Sequence, residues 1–237
     1  AAGAPPLNVT RADAFAVMRD FYAGTPYALD GGMAGGYAGT PERWAGGDAN
    51  ASGGWERAIS LYRSQVVVVL EARSALPAGV GGVAHFTPNA AHGGTFVPLA
   101  VGMTALPACV ASATSWAGVE RWSLAWATRF AFQLLQLRFD AMYAAFAAAR
   151  ADFEAASAAV LADLERSYVP GDAAPLDEQL GARAAAAVDW MWAQSDALVV
   201  AFANNANLGY PAWWLESPDV GYVDGPTPSP RRGPAGS

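Results

Sequence analysis

Few side chains of this 237-residue chain are suited to act as a nucleophile or a base. Cys109 is the only cysteine, and His85 and His92 are the only histidines. A cysteine and a histidine can form a catalytic dyad when the imidazole activates the thiol. Cys109 lies in the small, apolar run P-A-C-V-A-S, which is typical of an inert structural thiol, so we do not expect such a dyad. Two histidines without a third ligand at a recognisable spacing also argue against a zinc site.

Arginine is the basic residue that remains for chemistry, because all fourteen basic residues of the chain are arginine. The absence of lysine excludes Schiff-base catalysis and a Walker-type phosphate loop. No serine stands in a G-x-S-x-G elbow, and the Gly-Gly pairs lack the strand-loop-helix context of a nucleotide-binding loop. An arginine keeps its charge and can hold a carboxylate or stabilise an oxyanion.

The elements that would position these arginines begin with a short sheet. The unbroken apolar run from Val66 to Leu70 is typical of a central strand that is covered on both faces. A glycine-rich turn follows, and the residues from Val83 to Phe86 are expected to pair back as a second strand. A third strand is expected from Thr95 to Val101.

Helices are predicted on both sides of this sheet. Residues 11–22 form a short helix with Thr10 as its N-cap, and apolar residues at spacings of three and four predict a long helical region from Ser123 to Tyr168. That region is either one helix or two helices with a kink near Arg150. A last helix is expected from Leu176 to Asn204 or Asn205. A heptad coiled coil is disfavoured, because alanine fills many of the seam positions.

Composition bounds the class of protein. With 53% hydrophobic and 15% charged residues, the chain can bury a sizeable core as one globular domain or a large part of one. The net charge of −7 argues against nucleic acid or an anionic membrane surface as a partner. No apolar stretch is long enough for a membrane span, and the cellular compartment stays open.

Several ordered motifs carry a family resemblance. They are R-x-I-S-x-Y-R-S at 57–64, R-S-x-L-P at 73–77, F-V-P-L-x-x-G-x-T-x-L-P at 96–107, M-R-D-F-Y-x-G-T-P-Y at 18–27, G-T-P-E-R-W at 39–44, A-W-A-x-R-F at 125–130 and L-R-F-D at 137–140. Together they resemble the dipeptidase A and secernin group of cysteine N-terminal-nucleophile hydrolases over residues 12–205. One departure is the turn Gly36-Tyr37-Ala38-Gly39, where the family usually has a Gly-Pro-Phe-Gly-like sequence.

The resemblance implies an α+β fold, with residues 1–215 as the C-terminal portion of an αββα four-layer sandwich. Residues 216–237, rich in proline and glycine, are expected to form a disordered tail. The implied activity is that of a cysteine-type dipeptidase, which cleaves short peptides without a cofactor through an N-terminal cysteine. Residue 1 is Ala and Arg19 belongs to the middle of the family's length, so we expect the partner to be a missing N-terminal half, and this chain alone to be poorly soluble and inactive.

The resemblance also implies roles for individual residues. Arg63 corresponds to the strand that brings an arginine towards the nucleophile and is the catalytic candidate. Arg57, Arg73 and Tyr37 are weaker candidates for substrate binding. The alternative for each arginine is a salt bridge, such as Arg73 with Glu71 or with a helix carboxylate, and Arg57 with a neighbouring acid.

Two further interpretations of the whole chain remain. The first is a non-catalytic, secernin-like binding protein or an inactive truncated copy, which differs from the enzyme in lacking a mature N-terminal cysteine. The second is an all-helical scaffold module, which the predicted strands at 57–107 oppose.

Overall fold

A three-stranded antiparallel sheet and three long helices make up most of the structure, a computed structural model that describes residues 9–42, 57–112, 118–206, 221–222 and 230–231. The sheet contains β1 (Val66–Ala72), β2 (Gly82–Pro88) and β3 (Val97–Ala100), in that order across the sheet. The long helices are α5 (Leu124–Leu135), α6 (Phe139–Ser167) and α7 (Ala174–Ala201). Short helices are α1 (Arg11–Met18), α2 (Gly32–Gly35), α3 (Ala78–Gly81) and α4 (Ala108–Ala111). The α+β class and the order of sheet before helices are therefore confirmed.

Strand β1 is the point at which the sheet differs from its prediction. Among the described residues β1 pairs only with β2, with Val68 opposite Phe86, so it is an edge strand. Val67 and Val69 pack against the cluster of α1 that contains Phe15. On the opposite face Val66, Val68 and Leu70 are 53%, 40% and 78% exposed. The prediction of a central strand covered on both faces is wrong, because a continuous apolar run does not reveal whether each of its two faces has a neighbour.

Helix α1 begins where the sequence predicts and ends earlier. The Thr10 hydroxyl accepts a hydrogen bond from the Asp13 backbone N–H at 3.2 Å, and the Asp13 carboxylate accepts one from the Thr10 N–H at 2.8 Å. This reciprocal capping satisfies N–H groups that have no partner within the helix. The helix ends at Met18 rather than at residue 22.

The long helical region is interrupted at Gln136–Arg138, a single 3₁₀ turn, and not near Arg150. The loop around Gly39 docks at this point, where the Asp140 N–H donates to the Ala38 carbonyl at 3.2 Å and the Thr40 hydroxyl donates to the Gln136 side chain. Gly39 has φ +56°, and a Cβ on it would lie 2.7 Å from the Asp140 Cβ. The predicted kink near Arg150 is therefore wrong, because α6 continues through that residue without a break.

Helices α5, α6 and α7 enclose the main core. The fully buried positions include small residues, which let the helices approach closely: Ala127, Ala131, Ala184 and Ala187. Larger side chains fill the space between them: Leu124, Leu135, Phe139, Met142 and Met191. Helix α7 begins at Ala174 and is followed by a π-helical turn at Phe202–Ala206, which agrees with the predicted last helix.

The expected tail at 216–237 falls largely outside the described residues. Within it the structure describes β4 (Gly221–Tyr222) and β5 (Pro230–Arg231), which pair antiparallel. No helix in the described part of the chain is long and apolar enough to cross a membrane.

Candidate active-site segment

The segment 57–65, which leads into β1, carries the catalytic candidate. Its side chains alternate between the interior and solvent: Ala58 and Ser60 are buried, whereas Arg57, Ile59 and Arg63 are exposed. The I-S-L-Y run at 59–62 was expected to form a strand, but it does not. It forms bends and a turn in which the Ser64 N–H donates to the Leu61 carbonyl at 2.9 Å.

Backbone and side-chain hydrogen bonds hold this segment at both ends. The Ser60 N–H donates to the Asp20 carbonyl at 2.9 Å, and the Tyr22 hydroxyl donates to the Arg57 carbonyl at 3.0 Å. At the other end the Asn89 N–H donates to the Gln65 carbonyl at 2.9 Å, which fixes the entry into β1. The exposed arginines therefore stand on a positioned backbone, and such support is what a binding loop requires.

Ser60 and His92 form a buried pair beneath this segment. The Ser60 hydroxyl lies 2.8 Å from His92 Nδ1 and accepts a hydrogen bond from the His92 backbone N–H at 3.2 Å. His92 is fully buried, and burial, together with the charge of Arg150, lowers its pKa to about 3. The imidazole is therefore neutral at physiological pH, and it is enclosed by Phe21, Phe132 and Phe139.

The Ser60–His92 pair has the residue types of a nucleophile and its base, but substrate has no access to it. Ser60 is 2% exposed and His92 is not exposed at all. The pair therefore anchors the segment rather than reacting, because a nucleophile must meet its substrate. The Ser60–His92 pair was not predicted from the sequence. The available signal was that Ser60 stands at a position of the alternating segment where a side chain is expected to point into the protein.

A buried charged network supports His92 from below. The Arg150 guanidinium donates to the His92 carbonyl at 2.5 Å, while Arg19 forms an ion pair with Glu154. Glu154 also accepts the Phe96 N–H at 2.9 Å. Burial, followed by the charge of Arg150, lowers the pKa of Arg19. The network fixes the loop between β2 and β3, and no sequence motif indicated that Arg19 and Arg150 would meet there.

Arg63 and Arg57 present their guanidinium groups to solvent. The Arg63 guanidinium carbon lies 5.5 Å from the ring centre of Tyr62. Within the described ranges neither arginine forms an ion pair, and Glu56, which precedes Arg57, lies outside those ranges. Both charges are therefore available to an anionic group.

Arg73 stands at the other end of β1 and is engaged in the ion pairs that the sequence offered as the alternative. Its guanidinium lies 2.5 Å from Glu165 of α6 and 3.5 Å from Glu71, and it donates to the Val80 carbonyl at 2.9 Å. A seven-residue strand is about 23 Å long, so Arg73 is separated from Arg63 by roughly that length. The structure does not bring the two arginines together.

Glu71 is the centre of an ionic cluster on the α1 side of the sheet. Its carboxylate accepts hydrogen bonds from Arg11 Nε at 2.9 Å and contacts His85 Nε2 at 3.0 Å. Partial burial alone would raise the pKa of Glu71, but the hydrogen bonds from Arg11 and His85 and the nearby arginine charges lower it to about 2. The cluster ties α1 to this face of the sheet, which is a structural role.

Tyr37 lies beside the break between α5 and α6. Its exposed ring stands 5.4 Å from the guanidinium carbon of Arg138, and Arg138 is in turn paired with Asp140 at 3.0 Å. Tyr37 is therefore anchored to the α5–α6 junction, whereas Arg57 and Arg63 stand before β1.

Cys109 is half-buried on α4, and burial raises the pKa of its thiol. His85 and His92 contact Glu71 and Ser60 instead, and no hydrogen bond joins Cys109 to either histidine within the described residues. Those residues also contain no group of three or more His, Cys, Asp or Glu side chains that could hold a metal ion.

Comparison with known proteins gives one result that covers most of this geometry. The model of peptidase family C69 matches residues 4–152, which include the segment 57–65, the whole three-stranded sheet and the first half of α6. A search among curated proteins finds no match.

Proposed function

Since the chain belongs to peptidase family C69, we propose that it forms part of a cysteine-type dipeptidase of the N-terminal-nucleophile type. In this proposal Arg63 acts at the active site and Arg57 helps to bind a short peptide. The catalytic cysteine comes from a segment outside these 237 residues.

The state of Cys109 supports an external nucleophile. The thiolate is the reactive form of cysteine, and catalytic cysteines lie in surroundings that lower the pKa. Cys109 is the only cysteine of the chain, and burial raises the pKa of its thiol. Cys109 is therefore a poor nucleophile.

The open side of β1 is the observation that carries the proposal. The edge of β1 that has no partner strand among the described residues, together with the exposed side chains Val66, Val68 and Leu70, offers both hydrogen-bonding groups and apolar surface. A further strand added here would complete the sheet, and a second sheet stacked on this face would give the four layers that the family resemblance implies. Arg63 lies three residues before Val66, the first residue of β1, so a cysteine at the start of an added parallel strand would lie near its guanidinium.

The chemistry follows from this placement. The α-amino group of the N-terminal cysteine takes the thiol proton, and the sulfur attacks the amide carbon of the peptide. The Arg63 charge stabilises the thiolate and the oxyanion that forms on the carbonyl oxygen. The leaving amine takes up the proton, and water then hydrolyses the thioester and releases the second product. Arg57 is placed to hold a substrate carboxylate.

The experiment is to express residues 1–237 alone and together with the coding sequence that precedes them, and to assay both against a dipeptide panel before and after iodoacetamide. We expect thiol-dependent hydrolysis only in the completed protein. Thiol-dependent hydrolysis by residues 1–237 alone would return Cys109 to consideration and contradict the proposal.

In the completed protein, Arg63→Ala is expected to lower turnover by a factor on the order of 10²–10³, since one donor to the oxyanion is lost. Its melting temperature should stay unchanged, because the exposed guanidinium has no ion pair in the described part of the structure. Arg166→Ala, at an exposed position of α6, is the matched control and should retain full turnover. Activity within a few-fold of the parent would remove Arg63 from the mechanism.

A non-catalytic, secernin-like binding protein is the second candidate, and the raised pKa of Cys109 favours it if no other cysteine joins the chain. The two functions differ in one measurement. A completed protein that folds but releases no amino acids from any dipeptide would exclude the dipeptidase and favour the non-catalytic alternative.

A further inference from the structure

A solvent-open cavity of about 460 Å³ lies between α4, the residues that precede α5, and the middle of α7, and its two charged residues, Arg121 and Asp189, are exposed. Small-molecule sites in proteins have volumes of about 300–1,000 Å³. On α7 the wall consists of Gly181, Ala185 and Asp189, which share one helix face because they are four residues apart. The small side chains of Gly181 and Ala185 leave room for the cavity, and a Cβ on Gly181 would meet no atom within 4 Å.

Two opposite charges line this cavity without pairing. Arg121 stands on one wall and Asp189 on another, and the structure records no ion pair for either of them among the residues it describes. Their charged atoms are therefore more than 4 Å apart, which leaves space between them. A ligand that satisfies both must carry a negative and a positive group.

Arg121 is held in place by α7. Its guanidinium carbon lies 4.6 Å from the ring centre of Trp192, and the Trp192 indole N–H donates to the Arg121 carbonyl at 2.7 Å. A guanidinium that stacks on an aromatic ring keeps the N–H groups at its rim free to bind a carboxylate. The neighbouring Trp122 is 53% exposed and adds an apolar surface to the same cavity.

We infer that this cavity binds a zwitterion with an apolar side chain, either a free amino acid or a dipeptide. The ligand's α-carboxylate binds Arg121, its ammonium group binds Asp189, and its side chain packs on Trp122. The site is separate from the segment 57–65 and from the proposed chemistry, because neither Arg57 nor Arg63 lines it.

Cys109 gives this site its own reporter. It lines the cavity and is the only cysteine of these 237 residues, so labelling is followed on the peptide that contains Cys109, which separates it from any cysteine of the completed protein. The rate of iodoacetamide labelling, followed by mass spectrometry, is measured with L-phenylalanine and, in a second arm, with the dipeptide phenylalanyl-leucine. A ligand at four times its Kd should slow the labelling about fivefold, because one fifth of the protein stays free. The ligand that protects Cys109 at the lower concentration, the free amino acid or the dipeptide, is the one that the site prefers.

The charge requirement is tested with Arg121→Gln and Asp189→Asn. Each variant loses one charge-assisted hydrogen bond, so the protecting concentration should rise about tenfold or more. N-acetyl-phenylalanine amide, which lacks both charges, should not protect. Arg166→Gln and Asp163→Asn change an exposed pair on α6 and are the matched controls, for which protection should equal that of the parent.

Three results would overturn the site: no protection by either zwitterion, unchanged protection in Arg121→Gln, or equal protection by the uncharged amide. A melting curve and the labelling rate without ligand confirm that each variant is folded around Cys109. L-phenylalanine has no peptide bond to hydrolyse, so the result of that arm does not depend on whether the protein is a peptidase.

Discussion

The open side of β1 and the interface of α5, α6 and α7 are built from similarly apolar residues but end in opposite states. The helices bury Leu135, Ala131 and Met191 completely. The sheet leaves Leu70 at 78% exposure on a strand with one described neighbour. The exposure of Leu70 therefore shows that apolar content alone does not determine burial. Burial also requires a second surface of matching shape.

The helical interface has that second surface within the chain, because α5 and α7 present small residues to each other. The sheet lacks it on one face within the described residues. Apolar area left in water gives up about 25 cal/mol per Å² of possible stabilisation. The β1 face therefore gains stability when a partner covers it.

The largest expected effect comes from truncating one leucine in each region. Leu135→Ala in the helical core should lower the free energy of unfolding by about 2–5 kcal/mol, because it leaves a cavity. Leu70→Ala removes the same atoms from solvent and should change it by less than about 0.5 kcal/mol. Urea unfolding of both variants measures the contrast. Equal losses would mean that the β1 face is covered in solution.

Acidification is expected to destabilise the protein through buried His92 at a higher pH than through the ionic cluster of Glu71. Folding lowers the pKa of His92 from 6.5 to about 3 through burial, so the unfolded chain binds its proton first. The stability due to neutral His92 is complete above pH 6.5 and is lost as the pH falls towards 3. Glu71, whose pKa falls from 4.5 to about 2, contributes a loss only below about pH 4.5.

The corresponding measurement is the free energy of unfolding at several pH values between 7 and 3. We expect His92→Gln to flatten the decline between pH 6.5 and 4.5. His85→Gln should flatten it less, because the contact with Glu71 raises the pKa of His85 against the effect of burial. An unchanged decline in His92→Gln would show that His92 is not held neutral.

Substitution of two glycines by alanine compares a position where a Cβ would clash with one where it would meet no atom. Gly39→Ala should destabilise the protein by about 1–3 kcal/mol, since φ +56° is strained for alanine and its Cβ would meet Asp140. Gly181→Ala lies within α7 in open space and should stabilise it by about 0.5–1 kcal/mol. Thermal unfolding distinguishes them, and a stabilising Gly39→Ala would disprove the docking of this loop on α6.

The smallest effect on stability is expected from Leu70→Lys, which places a charge on the open face. Its free energy of unfolding should stay within about 0.5 kcal/mol of the parent, while self-association measured by sedimentation should decrease. Val199→Lys, at a half-exposed position of α7, is the control and should leave association unchanged. Equal self-association of Leu70→Lys and the parent would exclude the open face of β1 as the surface that self-associates.

Periodicity and capping made the local elements predictable. Thr10 as N-cap, the three strands, and the end of α6 next to Tyr168 all follow from local rules. The ordered motifs also identified the family. These features depend on residues that are close in sequence, which is why one sequence was sufficient.

The rest depends on contacts between distant residues. The break at Gln136–Arg138 contacts the loop around Gly39, which lies about a hundred residues away in sequence. The Ser60–His92 pair and the ion pair of Arg19 with Glu154 also join separate segments. The exposure of β1 depends on a neighbour, which no residue of the strand itself encodes. For the same reason the roles of Arg57, Arg63, Arg73 and Tyr37 stay predictions.

The buried guanidinium of Arg150 also limits how the molecule can be divided. Helices α5, α6 and α7 look like an autonomous bundle, yet Arg150 of α6 is 5% exposed and donates to the His92 carbonyl. Glu154 of the same helix likewise depends on Arg19 and the Phe96 N–H. A fragment limited to 118–206 would lose these partners and would expose to water the side of α6 that packs on the loop between β2 and β3. The stability of the bundle therefore depends in part on the loop between β2 and β3.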